Sequence, residues 1–303
     1  MIYSVTLNPS IDYIIHVDDF VEGSLNRSTK DYINVGGKGI MVSKLLTNVG
    51  VENTATGFLG GFTGKYISDW FDNLRMPHDF IFVEDNTRIN VKLKSSSESE
   101  INGRGANIKK QEQQQFLDKI NGIDENDTVI ISGSSSPGLD EDIVDQIIDI
   151  CKTNGADFVV DTSGSALIRA IKSKPLLIKP NIDEIGELFG KTFNNKEDVI
   201  PYGKKCLELG AKYVIVSMGS NGALFFDKDE VYYSPRVEGE LVNSVGAGDS
   251  MLAGFVGSLK SGKSPIDSFK FSVACGTATA FCEDIADKKS VENILSKVVV
   301  EDC

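Results

Sequence analysis

Residues 128–161 decide the fold: Thr128-Val129-Ile130-Ile131 is followed by the amphipathic segment Glu141–Cys151 and then by Phe158-Val159-Val160-Asp161. Short apolar runs of this kind are typical of strands that are buried on both faces. The segment between them has apolar residues at helical spacing. Two such strands joined by a helix predict a parallel pair with a crossover connection, which is the basic unit of an α/β fold.

The same alternation continues through most of the chain and predicts a largely parallel sheet covered by helices on both faces. The other predicted strands and helices are Ile2–Leu7, Asn53–Phe58, Leu176–Ile178, Tyr213–Ser217, Lys38–Asn48 and Lys196–Leu209.

Two regions, residues 11–35 and 86–103, interrupt this rhythm with short strand-like pieces and turns. Ile89–Lys94 alternates apolar and polar residues, as a half-exposed strand does. We expect these pieces to form a small β-sheet lid on the body. Because no linker-like or low-complexity segment separates them from the rest, we interpret residues 1–303 as a single domain with the lid as an insertion.

Composition excludes several functional classes. The chain has 303 residues and a formal net charge of −13, which argues against nucleic acid or an anionic membrane as a partner. It has no apolar stretch of membrane-spanning length, and its start predicts a strand rather than a signal peptide. Five scattered cysteines favour free thiols in a reducing, cytoplasmic setting. Only two histidines occur, so a catalytic base is expected to be a carboxylate.

One phosphate-binding pattern should be rejected. Gly257–Ser264 matches G-x-x-x-x-G-K-[ST], a pattern that requires a strand before the glycine loop. Here Ser250–Lys260 has apolar residues at helical spacing, so Gly262 is expected to end one helix and Pro265 to begin the next.

Gly246-Ala247-Gly248-Asp249 stands directly before that helix. Small residues at a helix N-terminus let a ligand approach the backbone, and the free N–H groups favour an anion. A carboxylate in the first turn can accept a proton from an attacking hydroxyl. The alternative is that Asp249 simply stabilises the helix start.

Three further motifs have both a structural and a functional interpretation. Gly36-Gly37-Lys38-Gly39 is either a tight turn or a contact for a phosphorylated substrate. Lys179-Pro180-Asn181 with Glu184 fits a capping box, yet these side chains can also orient a nucleotide and its Mg²⁺. Ser217–Ala223 is a glycine turn between two strands.

Two motifs near the predicted lid offer polar groups. Asp12 follows the first strand, where ligands of open α/β sheets bind, although an aspartate that makes a turn is the simpler interpretation. Thr87-Arg88-Ile89-Asn90 opens a lid strand and offers a guanidinium for phosphate.

In order and spacing, these motifs resemble the ribokinase-like (PfkB-type) sugar kinase family over essentially the whole chain. The resemblance also includes Ser132-Gly133-Ser134 and Val245–Ser250. Within the family, Gly60–Gly64, Thr87–Leu93 and Glu100–Gly103 most resemble the bacterial 1-phosphofructokinase subfamily.

The resemblance implies a three-layer α/β/α body and a kinase that uses ATP and Mg²⁺ to phosphorylate the C6 hydroxyl of fructose 1-phosphate. Asp249 would be the general base, and N–H groups at the start of its helix would stabilise the transferring phosphoryl group. A homodimer paired through the β-lid is also implied. The residues implied are Gly246, Ala247, Gly248 and Asp249 for catalysis; Asp12, Gly36, Gly37, Lys38, Arg88, Asn90 and Ser134 for the sugar phosphate; and Lys179, Asn181, Glu184, Ser217, Gly219, Gly222 and Ser250 for the nucleotide, with Glu184 near the metal through water.

Two departures from the family pattern stand out. Met41 occupies the usual asparagine position after the glycine-lysine turn, and a thioether cannot replace the donors of an amide. Loss of one substrate hydrogen bond would cost about 1 kcal/mol. Asn243-Ser244 replaces the usual Asp-Thr before Val245, a milder change near the nucleotide.

Three alternatives remain open at the level of sequence. A tagatose-6-phosphate kinase would use the same chemistry on another sugar. A sugar-phosphate sensor with little turnover is motivated by Met41. A P-loop NTPase depends only on the rejected pattern at Gly257–Ser264.

Overall fold

The body of the protein is built on a ten-stranded sheet, seen in a computed structural model that describes residues 1–162, 164–228 and 230–303. The strands are β1 (Ile2–Thr6), β2 (Ser10–His16), β3 (Lys30–Gly36), β4 (Asn53–Gly60), β5 (His78–Val83), β6 (Arg88–Lys94), β7 (Glu98–Ile101), β8 (Thr128–Ser132), β9 (Asp157–Asp161), β10 (Leu177–Ile178), β11 (Tyr213–Ser217), β12 (Ala223–Phe226), β13 (Val231–Ser234) and β14 (Glu301–Asp302). The helices are α1 (Lys38–Asn48), α2 (Gly61–Asn73), α3 (Lys110–Ile120), α4 (Ile143–Asn154), α5 (Gly164–Lys172), α6 (Ile182–Phe189), α7 (Lys196–Leu209), α8 (Ala247–Lys260), α9 (Pro265–Ala280) and α10 (Lys288–Leu295).

The predicted parallel sheet is confirmed. Its order is β14-β13-β12-β11-β10-β9-β8-β1-β4-β5, with parallel pairing from β5 to β11 and antiparallel pairing among the last four strands. The central strand β8 is buried along its whole length, as its continuous apolar run predicts. Because parallel strands end at the same edge, the side chains at their carboxyl ends share one cleft.

Helices cover both faces of this sheet. One face packs against α1, α2, α8, α9 and α10, and its core includes Leu45, Leu252 and Phe269. The other face packs against α3 to α7. The described part of the chain has no helix that is long and apolar enough to cross a membrane.

The helix α1 approaches the sheet closely because Gly39 has no side chain. A β-carbon at Gly39 would lie 2.4 Å from Thr6 Oγ1 and 2.7 Å from the carbonyl oxygen of Val5. This close packing sets the first turn of α1, including Lys38, beside the carboxyl ends of β1 and β8.

The predicted lid is a separate four-stranded sheet with the order β3-β2-β6-β7. The strands β2 and β6 run parallel, and each pairs antiparallel with its outer neighbour. The register places Asn34, Asp12 and Asn90 side by side across β3, β2 and β6. The interpretation of the whole chain as one domain stays a prediction.

Boundaries differ from the sequence expectation in a few places. The helix expected from Glu141 begins at Ile143, after Asp142 at its N-cap, and it continues to Asn154 before the left-handed Gly155. By contrast, Lys38–Asn48 and Lys196–Leu209 have the predicted bounds.

The rejected phosphate-binding pattern lies on a turn between two helices. Gly257 is inside α8, and Gly262 follows its end with a φ of 82°. Ser264 caps α9 through its side chain, and Pro265 is the first residue of that helix. The preceding strand that a phosphate-binding loop needs is therefore replaced by helix, as expected from the apolar spacing.

The variant Lys263→Ala tests this conclusion. Lys263 is exposed on the helix–helix turn, so its removal should leave nucleotide-dependent turnover unchanged and alter the free energy of unfolding by less than about 0.5 kcal/mol. Steady-state ADP release and thermal unfolding measure the two quantities. A large loss of turnover without loss of stability would restore the P-loop interpretation.

Candidate active site

The start of α8 lies at the cleft and has the geometry of an anion site. Gly246 occupies the N-cap with a φ of 78°, a left-handed conformation that favours glycine. Gly246 has no side chain that could cap the helix, so no N-cap side chain accepts a hydrogen bond from the N–H groups of the first turn. The N–H of Ala247 donates to the carbonyl of Ser244 at 3.3 Å.

Asp249 lies in the first turn of this helix. Burial raises the pKa of its carboxyl to about 7, from an ordinary value of 3.8, and the neighbouring charge of Asp161 adds to this effect. The cations Lys179 and Lys38 lower the same pKa and offset a part of the rise. The residue as a whole is only partly buried, so Asp249 lies near the surface of the cleft.

An ion network joins three elements at the bottom of the cleft. Asp161 ends β9 and is 7% exposed, and its carboxylate lies 3.0 Å from Lys38 Nζ and 3.9 Å from Lys179 Nζ. Burial lowers the pKa of Lys38, but the charge and hydrogen bond of Asp161 outweigh it, and the net pKa is raised. Asp249 and Glu184 contribute in the same direction, so all these charges share one end of the cleft.

Sequence reasoning missed Asp161. The sequence did contain a signal, because a carboxylate that ends an apolar strand is expected to need a cationic or hydrogen-bonding partner at the edge of the sheet. The structure also brings Lys179 against the α8 start, since a β-carbon at Gly248 would lie 3.1 Å from Lys179 Nζ.

The residues predicted to hold the sugar gather where the lid meets the body. Asp12 Oδ1 accepts hydrogen bonds from Ser10 Oγ at 2.7 Å and from Asn90 Nδ2 at 2.8 Å. Lys92 Nζ lies 3.8 Å from Asp12 Oδ2 and 3.3 Å from Glu100. Lys92 was not among the predicted site residues. It lies two residues after Asn90, opposite Ile14, so the strand pairing puts it on the same face of the lid as Asp12.

Glycines shape this end of the cleft. A β-carbon at Gly36 would lie 2.5 Å from Ser10 Oγ and 2.8 Å from the Asp12 carboxyl, so Gly36 must lack a side chain for Asp12 to hold its place. Gly37 follows as the N-cap of α1, with a φ of 125°. Ser134 is exposed on the loop after β8, next to Gly133, and Gly133 lies close to Lys38.

Arg88 is only partly available to a ligand. Its guanidinium donates to the carbonyl of Asn8 at 3.0 Å and to the carbonyl of Gly103 at 3.3 Å, which ties β6 to the end of β1. Burial lowers its pKa, and Asp12 opposes that change. Its Nε is buried and finds no partner among the described residues.

The Lys179–Glu184 segment forms the capping box that its sequence allows. Asn181 Oδ1 accepts from the N–H of Glu184 at 2.8 Å, and Glu184 Oε2 accepts from the N–H of Asn181 at 2.8 Å. The structural interpretation is therefore correct for both side chains. The other carboxylate oxygen of Glu184 is not used by the capping box, which fits a water-mediated contact to Mg²⁺. No cluster of three or more metal-ligating side chains occurs within the described ranges.

An apolar cavity of about 340 Å³ opens beside the α8 start. A cavity of this volume with a few polar groups is typical of a small-molecule site. Its wall includes the predicted nucleotide residues Ser217, Gly219 and Gly222 together with Ala247, Gly248, Val237, Thr277 and Phe281.

Ser250 does not face this cavity. It is completely buried, and its hydroxyl accepts a hydrogen bond from Thr279 Oγ1 at 2.8 Å. Its side chain therefore packs α8 against α9, and its position gives no support to the predicted nucleotide contact.

Comparison with known proteins identifies the family. Residues 5–290 match the profile of the pfkB family carbohydrate kinase. The chain belongs to this family. It is a phosphotransferase with an alcohol acceptor, and its relatives indicate a sugar-phosphate kinase.

Three similar proteins illustrate the relationship. The 1-phosphofructokinase of Bacillus subtilis is 45% identical over 300 residues, which cover 99% of each chain. The D-tagatose-1-phosphate kinase of Bacillus licheniformis is 33% identical over 301 residues, again 99% of each chain. The crystal structure of phosphofructokinase-2 from Escherichia coli in complex with substrates and products has a TM-score of 0.91 at 27% identity, covering 97% of this chain and 98% of that chain.

The raised pKa of Asp249 predicts that this carboxyl destabilises the fold at high pH. Below pH 3.8 it is protonated in both states and contributes no difference. As the pH rises from 3.8 to about 7, the unfolded chain loses the proton first, so the free energy of unfolding falls and stays lower above pH 7. Asp249→Asn removes this cost, and we expect it to stabilise the protein at pH 8 by about 1–3 kcal/mol, after allowance for solvent in the cleft.

Denaturant unfolding at pH 4 and pH 8 measures this effect. The control is Asp19→Asn, which removes the same charge from an exposed position. Equal stabilisation by both variants would show that net charge, and not the environment of Asp249, is responsible.

Proposed function

We propose that this chain transfers the γ-phosphoryl group of ATP to the C6 hydroxyl of fructose 1-phosphate, giving fructose 1,6-bisphosphate, with Asp249 as the general base. The observation that carries the proposal is the Asp249 carboxyl in the first turn of α8, at the anion-binding helix start and near two lysines. A kinase needs a base, an anion site and cations at one place, and this end of the cleft offers all three.

The acid–base properties of Asp249 suit this role. A general base works best when its pKa lies near the operating pH, and burial raises the pKa of this carboxyl to about 7. An ordinary aspartate would be ionised but a far weaker acceptor of the hydroxyl proton. The free carboxylate at pH 7–8 would accept the C6 hydroxyl proton as the oxygen attacks phosphorus.

The negative charge that develops on the phosphoryl oxygens would be stabilised by N–H groups of Gly246, Ala247 and Gly248 and by the two ammonium groups. Lys38 and Lys179 are held at this end of the cleft by Asp161. Mg²⁺, when bound with ATP near Glu184, would supply further charge neutralisation on the phosphates.

For the nucleotide, we propose the cavity beside the Ser217–Ala223 turn. Apolar walls from Val237 and Phe281 suit a flat base. Ser217, Gly219 and Gly222 lie along the same wall, next to the α8 start where phosphates would point. Asn181 and Glu184 stand at the neighbouring helix start as metal and nucleotide contacts.

For the sugar, we propose Asp12 and Asn90 as partners of the hydroxyls, with Gly36 and Gly37 leaving room for the chain of the substrate. Asp12 Oδ1 already accepts from two donors, whereas Oδ2 has only Lys92 Nζ at 3.8 Å, so Oδ2 is the oxygen with room for a hydroxyl. Arg88, Ser134 and Lys38 would then meet phosphate. Because Lys38 pairs with Asp161 close to Lys179, it would serve the transferring phosphoryl group at least as well as the resident phosphate.

A substrate panel tests the proposed activity. With ATP and Mg²⁺, the purified protein should turn over fructose 1-phosphate with the highest kcat/KM among fructose 1-phosphate, tagatose 1-phosphate, fructose 6-phosphate and tagatose 6-phosphate. Asp249→Asn should lower kcat by about 10²–10⁴-fold, the usual contribution of a general base, while calorimetry still detects ATP binding.

Each alternative has its own result. Highest kcat/KM for tagatose 6-phosphate would make the chain a tagatose-6-phosphate kinase. Saturable sugar-phosphate binding with no turnover of any substrate would support a sensor. Retention of more than a tenth of the turnover by Asp249→Asn would exclude this carboxyl as the base.

We also propose a homodimer paired through the lid. Asp12 and Asn90 lie on one face of the lid, and the opposite face has apolar side chains such as Tyr13, Ile33 and Ile101 in adjacent register. Ile33 is 47% exposed and Ile101 is 69% exposed. A second copy presents the same apolar face, so two lids related by a two-fold axis would cover each other.

The double variant Ile33→Lys/Ile101→Lys tests this interface. It should halve the mass measured by light scattering, because buried lysines without partners would be too costly at the interface. Leu209→Lys, at an exposed apolar position on α7, is the control and should leave the mass unchanged. An unchanged dimer in the lid variant, or a monomer in the unaltered protein, would contradict the proposal.

A further inference from the structure

We propose that Met41 and Ile285 form an apolar wall over Gly246 that keeps water away from the Asp249 carboxyl and holds the start of α8 in position. This inference rests on the proposed role of Asp249 as the base. It makes both residues positioning residues, since neither is expected to touch the reacting atoms.

Contacts at Gly246 place the wall. A β-carbon there would lie 2.6 Å from Ile285 Cδ1 and 4.0 Å from Met41 Cγ, so the two side chains converge on this glycine. The N-cap residue and the residue three positions later lie on the same side of a first helical turn. Asp249 is three positions after Gly246 in the first turn of α8, so its backbone lies on the side of the helix start that the wall covers.

The segment that carries Ile285 is fastened to α1. Asn48 Nδ2 donates to the carbonyls of Ile285 at 3.4 Å and Ala286 at 3.0 Å. Lys44, one turn earlier on α1, pairs with Asp284. Because α1 also bears Met41, one helix positions both halves of the wall.

A second connection to the segment that carries Ile285 comes from Asn243, in the loop before α8. Asn243 Nδ2 donates to the carbonyl of Glu283 at 3.0 Å, and Asn243 Oδ1 accepts from the N–H of Val245 at 3.0 Å. The wall and the Gly246 turn are thus linked on both sides. A displacement of Ile285 would therefore shift the start of α8.

Met41 has an apolar environment that suits this role. It is partly buried and packs against two hydrophobic clusters, one with Leu252 and Ile285 and the other with Ile11 and Ile40. Sequence analysis attributed a lost substrate hydrogen bond to this position. That loss stays a prediction, and the structure adds that Met41 lies beside Gly246, the N-cap of the helix that carries Asp249.

The charges that face Asp249 come from the other sides. Asp161 reaches it from β9, Lys179 from the segment after β10, and Lys38 from the first turn of α1. Burial is a larger cause of its raised pKa than any of these charges. The wall would bury Asp249 from the side of α1 and of residues 281–287, where Met41 and Ile285 lie against Gly246.

Two matched pairs of variants test the wall. Met41→Gln introduces polarity with little change of volume, and Ile285→Thr introduces a hydroxyl in a side chain of the same shape as its control Ile285→Val. Met41→Leu and Ile285→Val keep the surface apolar. The polar variants should move the acid limb of the kcat/KM profile to lower pH by about one pH unit, because a wetter site favours the ionised carboxyl. Their kcat at pH 8 should fall several-fold, while the KM for the sugar phosphate changes less than about two-fold.

The apolar variants should keep the pH midpoint of the unaltered protein. The substrate phosphate titrates near pH 6, so the comparison is between variants that share the substrate. A midpoint unchanged in both polar variants would overturn the proposal. A change confined to the sugar KM in Met41→Gln would overturn it in favour of a direct sugar contact.

A measurement without turnover separates this inference from the proposed function. Carboxyl ¹³C NMR of the free protein, with Asp249→Asn to assign the resonance, follows the ionisation of Asp249 directly. A lower pKa in the polar variants supports the wall even if no sugar phosphate is turned over. An unchanged pKa overturns it even if the kinase activity is established, and circular dichroism verifies that each variant is folded.

Discussion

The pairing of Asp161 with Lys38 and Lys179 is the interaction on which the site depends. It joins the end of β9, the first turn of α1 and the segment after β10 at one point of the sheet edge. A buried carboxylate is unfavourable unless it is paired, and two lysines brought together would repel each other without it. The network therefore pairs the buried carboxylate and at the same time brings two ammonium groups together in an acidic protein.

Asp249 adds a second carboxylate to this group of charges, and its environment separates it from Asp161. Asp161 is held between two ammonium groups, whereas Asp249 lies in the first turn of a helix whose N-cap glycine has apolar neighbours. Burial raises the pKa of Asp249 to about 7 despite the nearby lysines. The two neighbouring carboxylates therefore differ in character. Asp161 has a structural role in the ion network, and Asp249 has a pKa that suits proton transfer.

Much of the architecture follows from local pattern. Lys38–Asn48, Lys196–Leu209 and Tyr213–Ser217 have their predicted bounds because caps, glycines and apolar spacing mark both ends. The lid was predictable from alternation along Ile89–Lys94. The false phosphate-binding pattern at Gly257–Ser264 could be rejected because helical spacing before it left no room for a strand.

The sequence by itself determined which residue types stand at the ends of strands and at helix starts, and those determine the fold and the kinase chemistry. Only the tertiary structure decided which of them meet. Asp161 pairs with Lys38 although 123 positions separate them. Ile285 contacts Gly246 although the whole of α9 lies between them in the chain. Ser250 turned out to face α9 rather than the cavity. The physical reason is that spacing along the chain defines local geometry, while distances across a sheet edge depend on strand order and helix packing that no local segment encodes.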